Sequence, residues 1–370
     1  MSEMFSKAIP DLQTVWDATS LADLQSCAEK YRLKHLEGWS ARGSSVHLIF
    51  GSLIGNGLER FYQNIIDRSM SHDDALRDAL RLVLTQSYGP DGPLLGRYVD
   101  VWRCLGAVPF KNEKGNRAKC PWSHSGKFFP APGPEVCGAC GSPTEQLNLW
   151  FPDNPVKDRL QLCRVLVWYT EEMKTGGLRP VSLTDGEGPH RALVEHFWEY
   201  TGPVIGEVQF KLCGWFDSVK SLGDDRAYPT DYKTTQNTPG AGYFSQFNPN
   251  VQMNLYDAVA FEVLPAGLKT GGVVVEAIQL LQGGCRFAYK VVRGTESQRA
   301  EFMREVATWL AMAKTFAETG NWPRNRSNCR FCEFNNVCSS PESARKAILE
   351  QNYERGFWNP LKRQKQETRP

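Results

Sequence analysis

The residues best placed to do chemistry together are Asp217, Asp231 and Lys233. They lie in Gly214-Trp215-Phe216-Asp217 and, after the turn-forming Gly223-Asp224-Asp225, in Thr230-Asp231-Tyr232-Lys233-Thr234-Thr235. If the two segments are neighbouring β-strands, both carboxylates meet at adjacent strand ends. The strand period of two sets Asp231 and Lys233 on one face and Tyr232 on the other. Two carboxylates side by side repel each other unless a divalent cation lies between them. Oxygen-only ligation suits Mg²⁺ or Mn²⁺, which keep water and substrate phosphate oxygens in their shell. Such an ion polarises a phosphodiester and lowers the pKa of a bound water, while a nearby lysine orients that water or offsets the developing charge. An isolated Asp-x-Lys is common and is usually a solvated surface pair. Here Gln252 and Tyr256 follow, four residues apart and so on one helix face.

A second kind of chemistry lies in the 11 cysteines. Cys329, Cys332 and Cys338 have the spacing C-x2-C-x5-C, and no Cys or His follows them. Three thiolates need a fourth ligand from far away to close a tetrahedral Zn²⁺ site or a four-cysteine iron–sulfur cluster. Cys137-x2-Cys140-Gly141 is a metal knuckle, and Cys120 with His124 supplies a second pair. Three thiolates and one imidazole predict tetrahedral Zn²⁺, against the alternative of a loop of reduced, unliganded cysteines. Lys111, Lys114, Arg117, Lys119 and Lys127 surround this knuckle with Trp122, Phe128 and Phe129, so it could hold nucleic acid by phosphate contacts and stacking. Cys104, Cys163, Cys213 and Cys285 stand in apolar settings and read as core filler.

The elements that must position these groups follow from periodicity. Helices are expected over 20–38 with Ser20 as N-cap, 50–67, 73–84, 156–174, 250–263 and 296–319. Strands are expected over 193–200, 208–219 and 228–234, with a hairpin of 272–281 and 286–292 about Gly283-Gly284. Residues 109–143 are rich in Gly, Pro, Lys and Cys without hydrophobic period, which suggests an inserted module. A core sheet flanked by helices fits an α/β or α+β fold.

Composition narrows the function classes. The chain has 370 residues, 43 Lys+Arg against 41 Asp+Glu, and 41% apolar residues. That length suggests about two domains, or one with insertions. A net charge of +2 excludes a global polycation, so nucleic-acid binding must come from local patches. Residues 1–16 lack a continuous apolar stretch of the secretory kind, and no apolar run is long enough to span a membrane. A cytoplasmic setting follows, in which cysteines serve as metal ligands more often than as disulfides. The odd cysteine count excludes complete pairing within the chain.

With these residues in view, the sequence resembles the PD-(D/E)XK nuclease superfamily. The similarity is to its RecB-like branch with an iron–sulfur cluster, which includes AddB-type nucleases, the RecB-like Cas exonuclease of CRISPR adaptation and phage exonucleases. That branch has G-x-x-D, then D/E-x-K on the next strand, then a helix with Q-x-x-x-Y. Gly214…Asp217, Asp231-Tyr232-Lys233 and Gln252…Tyr256 match. The resemblance implies a restriction-endonuclease-like α/β core with a mixed central sheet flanked by helices. It implies Asp217 and Asp231 as ligands of Mg²⁺ or Mn²⁺, with the Tyr232 carbonyl facing the metal and Lys233 as the catalytic lysine. Gln252 and Tyr256 would support the site and the DNA, and Glu195 stands where such nucleases often carry another acidic residue. The family's first motif, G-x-x-x-H-x-x-L-E, reads Gly51-Ser52-Leu53-Ile54-Gly55-Asn56-Gly57-Leu58-Glu59 here. Glu59 is kept, but Gly55 replaces the metal-contacting histidine, which puts metal affinity or activity in question.

The branch also carries an N-terminal cysteine after two apolar helix residues and before an aromatic one. Leu21, Leu24, Cys27 and Tyr31 match that spacing, so the resemblance implies a [4Fe–4S] cluster on Cys27, Cys329, Cys332 and Cys338. The expected organisation is an N-terminal helical part of the nuclease over 1–108, a zinc module over 109–150 and a nuclease core over 151–322. An iron–sulfur segment over 323–345 and a basic tail over 346–370 complete it. The expected function is a metal-dependent DNA nuclease, an exonuclease on single strands or duplex ends in recombination, repair or phage DNA processing. A P-loop is absent, so unwinding would need a helicase partner; a single-strand annealing protein is another expected partner. The alternatives are a structure-specific endonuclease and a non-catalytic DNA-binding scaffold.

Overall fold

The computed structural model describes residues 4–43, 45–89, 92–111, 114, 116–124, 127–183 and 190–362, the side chains of residues 93, 117, 121 and 124 excepted. In chain order the first elements are helices α1 (Ala18–Ser26), α2 (Val46–Ile66) and α3 (His72–Gln86), strands β1 (Gly96–Cys104) and β2 (Thr144–Pro152), and helix α4 (Arg159–Thr175). Strands β3 (Val194–Ile205), β4 (Val208–Ser221) and β5 (Arg226–Thr235) follow, then helix α5 (Val251–Val263) and strands β6 (Val273–Leu281) and β7 (Gly284–Val292). Helices α6 (Glu296–Thr319) and α7 (Glu342–Asn352) come last.

Strands β3 to β7 lie side by side in one mixed sheet. The β3/β4, β4/β5 and β6/β7 pairs are antiparallel, and β5/β6 is parallel. A parallel pair needs a crossover, and α5 supplies it. Strand β6 is buried along nearly its whole length, because helices cover both faces of the sheet. On one face Val275 and Ala277 pack with Leu21 and Leu24 of α1, Met253 and Tyr256 of α5, and Phe302 and Leu310 of α6. On the other, Ile278 and Leu280 pack with Phe50, Leu53 and Leu58 of α2, Val83 of α3, and Leu166 and Tyr169 of α4. Each such burial contributes about 1.5–3 kcal/mol, so both helical layers are held strongly to the sheet. This is the helix-flanked mixed α/β sheet expected from the sequence.

Some elements differ from expectation. The N-cap of α1 is Asp17, not Ser20; Ser20 is the third helical residue, and the two close a reciprocal capping box. The expected single helix breaks at Cys27, whose backbone is extended (φ −171°). The break lets the C-terminal segment dock there, with Glu29 N–H donating to the Pro323 carbonyl at 3.3 Å. Helix α2 starts at Val46, earlier than periodicity suggested, because Ser45 caps it through His47 N–H. Strands β1 and β2 bracket the insertion, paired from Gly96↔Pro152 to Cys104↔Thr144. The segment read as a basic tail begins with the end of α7, after which Tyr353–Arg355 pairs with Trp39–Ala41. Residues 363–370, including Arg363, Lys365 and Arg369, lie outside the described residues. No helix among the described residues is long and apolar enough to cross a membrane.

Candidate active site

Strands β4 and β5 and helix α5 bring the Asp-x-Lys residues to one place. Asp231 and Lys233 face α5, while Tyr232 faces the α2/α4 layer, as the period of two requires. Gln252, in the first turn of α5, bridges them. Its Nε2 donates to Asp231 Oδ1 at 2.8 Å, and its Oε1 accepts from Lys233 Nζ at 3.0 Å. An ammonium only donates and a carboxylate only accepts, so these two partners fix which way the amide points. Lys233 Nζ also lies 2.7 Å from Asp231 Oδ2. Burial pushes the Lys233 ammonium toward neutrality, but Asp231 and Asp217 outweigh it and hold its pKa above the usual lysine value.

Asp217 reaches the same point from β4: its Oδ2 accepts the Tyr232 N–H at 2.7 Å, between Asp231 and Lys233. Tyr256, one turn beyond Gln252, accepts from its Nε2 at 3.1 Å and donates to the Trp215 carbonyl at 2.8 Å. That clamp ties α5 to β4 just before Asp217, and burial raises the Tyr256 phenol well above its ordinary pKa. Gly214 is required by close packing: a Cβ there would lie 2.7 Å from the ring of Trp198, its cross-strand partner.

Glu195 lies across from Asp217, since Val194↔Ser218 and His196↔Phe216 flank the two. Its backbone is left-handed, with φ +47°. Along β4 the residues packed in the α1/α5/α6 core run Phe210, Leu212, Phe216 and then Val219, so the alternation slips between 216 and 219. The β3/β4 register is the same on either side of this point, so the slip re-aims side chains beside the site without an inserted residue. Glu195 Oε1 is 3.9 Å from where a Cβ on Gly55 would stand, so its carboxylate borders the position at which the family motif carries histidine. Glu59 lies one turn further along α2 and accepts from Gln63 Nε2 at 3.0 Å.

The donor set suits a hard cation. Asp231 is 4% exposed, and among the described residues its Oδ2 has the Lys233 ammonium, at 2.7 Å, as its one close polar contact. A buried carboxylate held by one lysine next to a second carboxylate has the oxygen donors that an Mg²⁺ or Mn²⁺ ion takes.

Behind the site, on the α2/α4 face, is a group that sequence reasoning missed. Lys220 of β4 and Glu276 of β6 form a fully buried ion pair at 2.5 Å. Tyr169 of α4 donates to Glu276 Oε1 at 2.7 Å, and Lys220 Nζ lies 4.8 Å from the centre of the Tyr232 ring. Burial pushes the Lys220 pKa down, against the pull of Glu276.

All eleven cysteines are free. The C-terminal segment docks on the break at Cys27: Asn325 N–H points at Cys27 Sγ at 3.3 Å, and Asn325 and Asn328 side chains both donate to the Ser26 carbonyl at 2.9 Å. Cys332 and Cys338 pack on a small core of Leu33, Trp39, Phe334, Val337, Leu349 and Tyr353. Burial raises both thiols, and the Cys27 thiol lies near enough to act on each. In the insertion, the sulfurs of Cys104, Cys120, Cys137 and Cys140 lie within 4.8 Å of one another. Cys104, read from sequence as core filler, is thus the fourth member of that group. The His124 side chain lies outside the described residues. Trp122 and Phe129 stack on each other, ring centres 4.2 Å apart.

A mixed α/β sheet with two carboxylates, a lysine and a glutamine gathered from two central strands and their crossover helix is the layout of a nuclease core. The chain belongs to the PD-(D/E)XK nuclease superfamily, whose sequence model matches residues 148–339, just over half of it. That span contains Asp217, Asp231, Lys233, Gln252, Tyr256 and the three C-terminal cysteines; Cys27, Glu59 and Cys104 precede it. No curated protein matches the chain. Among solved structures, the crystal structure of SSO0001 is similar at 12% identity over 47% of this chain, with a TM-score of 0.25. The matched part spans 66% of that chain, just under two thirds of its length, and a likeness this slight supports no argument.

Proposed function

We propose that this protein is a RecB-like DNA exonuclease that uses Mg²⁺ or Mn²⁺ and carries an iron–sulfur cluster. It would act on single strands or duplex ends in recombination, repair or phage DNA processing, in the cytoplasm of a bacterial or phage-infected cell. A helicase or single-strand annealing protein would supply suitable ends. The observation that carries the reading is the hydrogen-bonded unit of Asp231, Lys233 and Gln252 with Asp217 beside it.

Asp217 and Asp231 would hold the cation, with the Tyr232 carbonyl facing it. The ion supplies Lewis acidity toward the phosphodiester and a more acidic bound water. Lys233, kept charged by its two aspartates, acts as a hydrogen-bond donor and positive charge toward a phosphate oxygen rather than as a base. Gln252 holds the carboxylate and the ammonium in register, and Tyr256 fixes Gln252 to the backbone of β4. Glu195 and Glu59 stand beside Gly55, and a carboxylate there would compensate for the missing histidine.

The iron–sulfur reading draws on the docking of residues 322–338 against Cys27. A single tetrahedral ion at a Zn–S distance of 2.3 Å needs sulfurs about 3.8 Å apart. Among the described residues only the insertion's four cysteines close to within 4.8 Å. A multi-iron cluster on Cys27, Cys329, Cys332 and Cys338 would pin the C-terminal segment to α1.

The test uses linear single- and double-stranded DNA with the 5′ or the 3′ end blocked, beside circular DNA, in Mn²⁺. Degradation stopped by one block, with circles intact, is the exonuclease result. Cutting of circles or of branched DNA would establish the endonuclease instead. DNA binding without hydrolysis in any substrate would favour the scaffold that Gly55 suggests.

A further inference from the structure

Among the described residues, the insertion is held by the β1/β2 pairing and by a small core made mostly of its cysteines. Strand β1 pairs with β2 and with the short Phe129–Pro130 strand. The buried cluster of this three-stranded sheet is Cys104, Cys120 and Cys137, with Phe110, Trp122, Phe129 and Cys140 partly buried around it. Three thiols and a few aromatic edges bury too little apolar surface to stabilise a module of some fifty residues.

The sulfurs are arranged for something else. Cys104 and Cys140 are 3.4 Å apart, Cys120 and Cys137 are 3.8 Å apart, and all four lie within 4.8 Å of one another. An ion at 2.3 Å from four tetrahedral thiolates sets sulfur separations of about 3.8 Å. The backbone also points at the group. Gly106 N–H donates to Cys104 Sγ at 3.2 Å. The turn carrying Cys137 and Cys140 is closed by Gly141 N–H to the Cys137 carbonyl and Cys137 N–H to the Ser142 carbonyl, each 2.8 Å. Gly141 adopts φ +74°, which a side chain would disfavour, and so lets the turn present both sulfurs to one point.

We propose that Cys104, Cys120, Cys137 and Cys140 bind one Zn²⁺ as a closed tetrathiolate site, with Cys104 in the place that sequence spacing gave to His124. Four protein ligands leave no open position, so the ion is structural. It joins the end of β1, the start of the short Pro121–His124 helix and the loop entering β2. Binding releases the thiol protons, so the site loads at neutral pH and empties in acid. The proposal is independent of the nuclease reading, because it uses none of the residues assigned to that site.

The test is made on the full chain, purified anaerobically, with zinc and iron measured per chain for wild type, Cys104→Ser and His124→Ala. The expected result is about one zinc in wild type and in His124→Ala, and at least a five-fold loss in Cys104→Ser with iron unchanged. Because Cys104→Ser could misfold, thiol alkylation of wild type is read peptide by peptide before and after chelation. Cys104, Cys120, Cys137 and Cys140 should be protected together and become labelled together. Zinc retained in Cys104→Ser but lost in His124→Ala would overturn the proposal. So would the absence of zinc from wild type, or labelling of Cys104 before chelation.

Discussion

Glu195 offers a prediction in which backbone strain and carboxylate function are read separately. Its φ of +47° is a conformation that glycine adopts freely and other residues do not. For an L-residue the left-handed region costs about 1–2 kcal/mol. In an ordinary strand, glycine is about 0.5–1 kcal/mol worse than alanine. Glu195→Ala and Glu195→Gly both lose the carboxylate beside Gly55, so their difference isolates the backbone. Subtracting the two terms leaves Glu195→Gly more stable than Glu195→Ala by about 0.75 kcal/mol at their midpoints (span about 0–1.5), the reverse of the usual order. In a chain of this size that is a rise of about 1–3 °C in Tm, read by thermal unfolding in one buffer. If, as proposed, the Glu195 carboxylate serves the site, both variants should lose at least about ten-fold in Mn²⁺-dependent DNA hydrolysis. An alanine variant as stable as the glycine variant would refute the strain argument. Full activity in both would remove Glu195 from the site.

Two further perturbations follow from buried charge. Glu276→Gln leaves the fully buried Lys220 ammonium without its counter-charge, which should cost about 3–5 kcal/mol in denaturant unfolding. Replacing both residues by apolar ones (Lys220→Met with Glu276→Leu) should recover most of that, and a single variant within 1 kcal/mol of wild type would contradict the pairing. Asp23 accepts Lys30 at 2.5 Å, His35 at 2.9 Å and Lys34 at 3.0 Å beside Cys27. Burial raises its pKa, but His35 and the two lysines outweigh it and hold the carboxyl well below its usual value. A carboxylate depressed in the folded state stabilises fully above its unfolded pKa of about 4, and that contribution is lost as the pH falls below it. Wild type should therefore lose stability below roughly pH 4 more steeply than Asp23→Asn, which should be about 2 kcal/mol weaker at pH 7. Parallel pH profiles for the two proteins would contradict the assignment.

How far the sequence could be read depended on whether an interaction was local. Asp231 and Lys233 share a face because a strand has a period of two, and Gln252 and Tyr256 because a helix nearly repeats every four residues. Those relations need only the identity of the element, and the site they imply assembles in the structure. Cys104 had no such marker: it stands 16 residues before Cys120, outside any knuckle spacing, and joins the group only through the β1/β2 pairing. Lys220 and Glu276, 56 residues apart, lie on different strands and come together only through the parallel β5/β6 pair, so nothing local in the sequence joins them. The left-handed backbone of Glu195 was illegible because nothing in a glutamate announces it. At the start of α1, Asp17 and Ser20 are both good caps three residues apart, and the helix uses both, with Asp17 as N-cap and Ser20 closing the box.

The central claim is that Asp231 and Lys233 serve a metal-dependent nuclease. The most direct measurement compares wild type, Asp231→Asn and Lys233→Met on end-labelled DNA in Mn²⁺, with chelator and DNA-binding controls. The expected result is hydrolysis by wild type that the chelator abolishes, at least about 100-fold lower in each variant while DNA binding persists. Hydrolysis undiminished in both variants, or none in wild type with either Mg²⁺ or Mn²⁺, would contradict it.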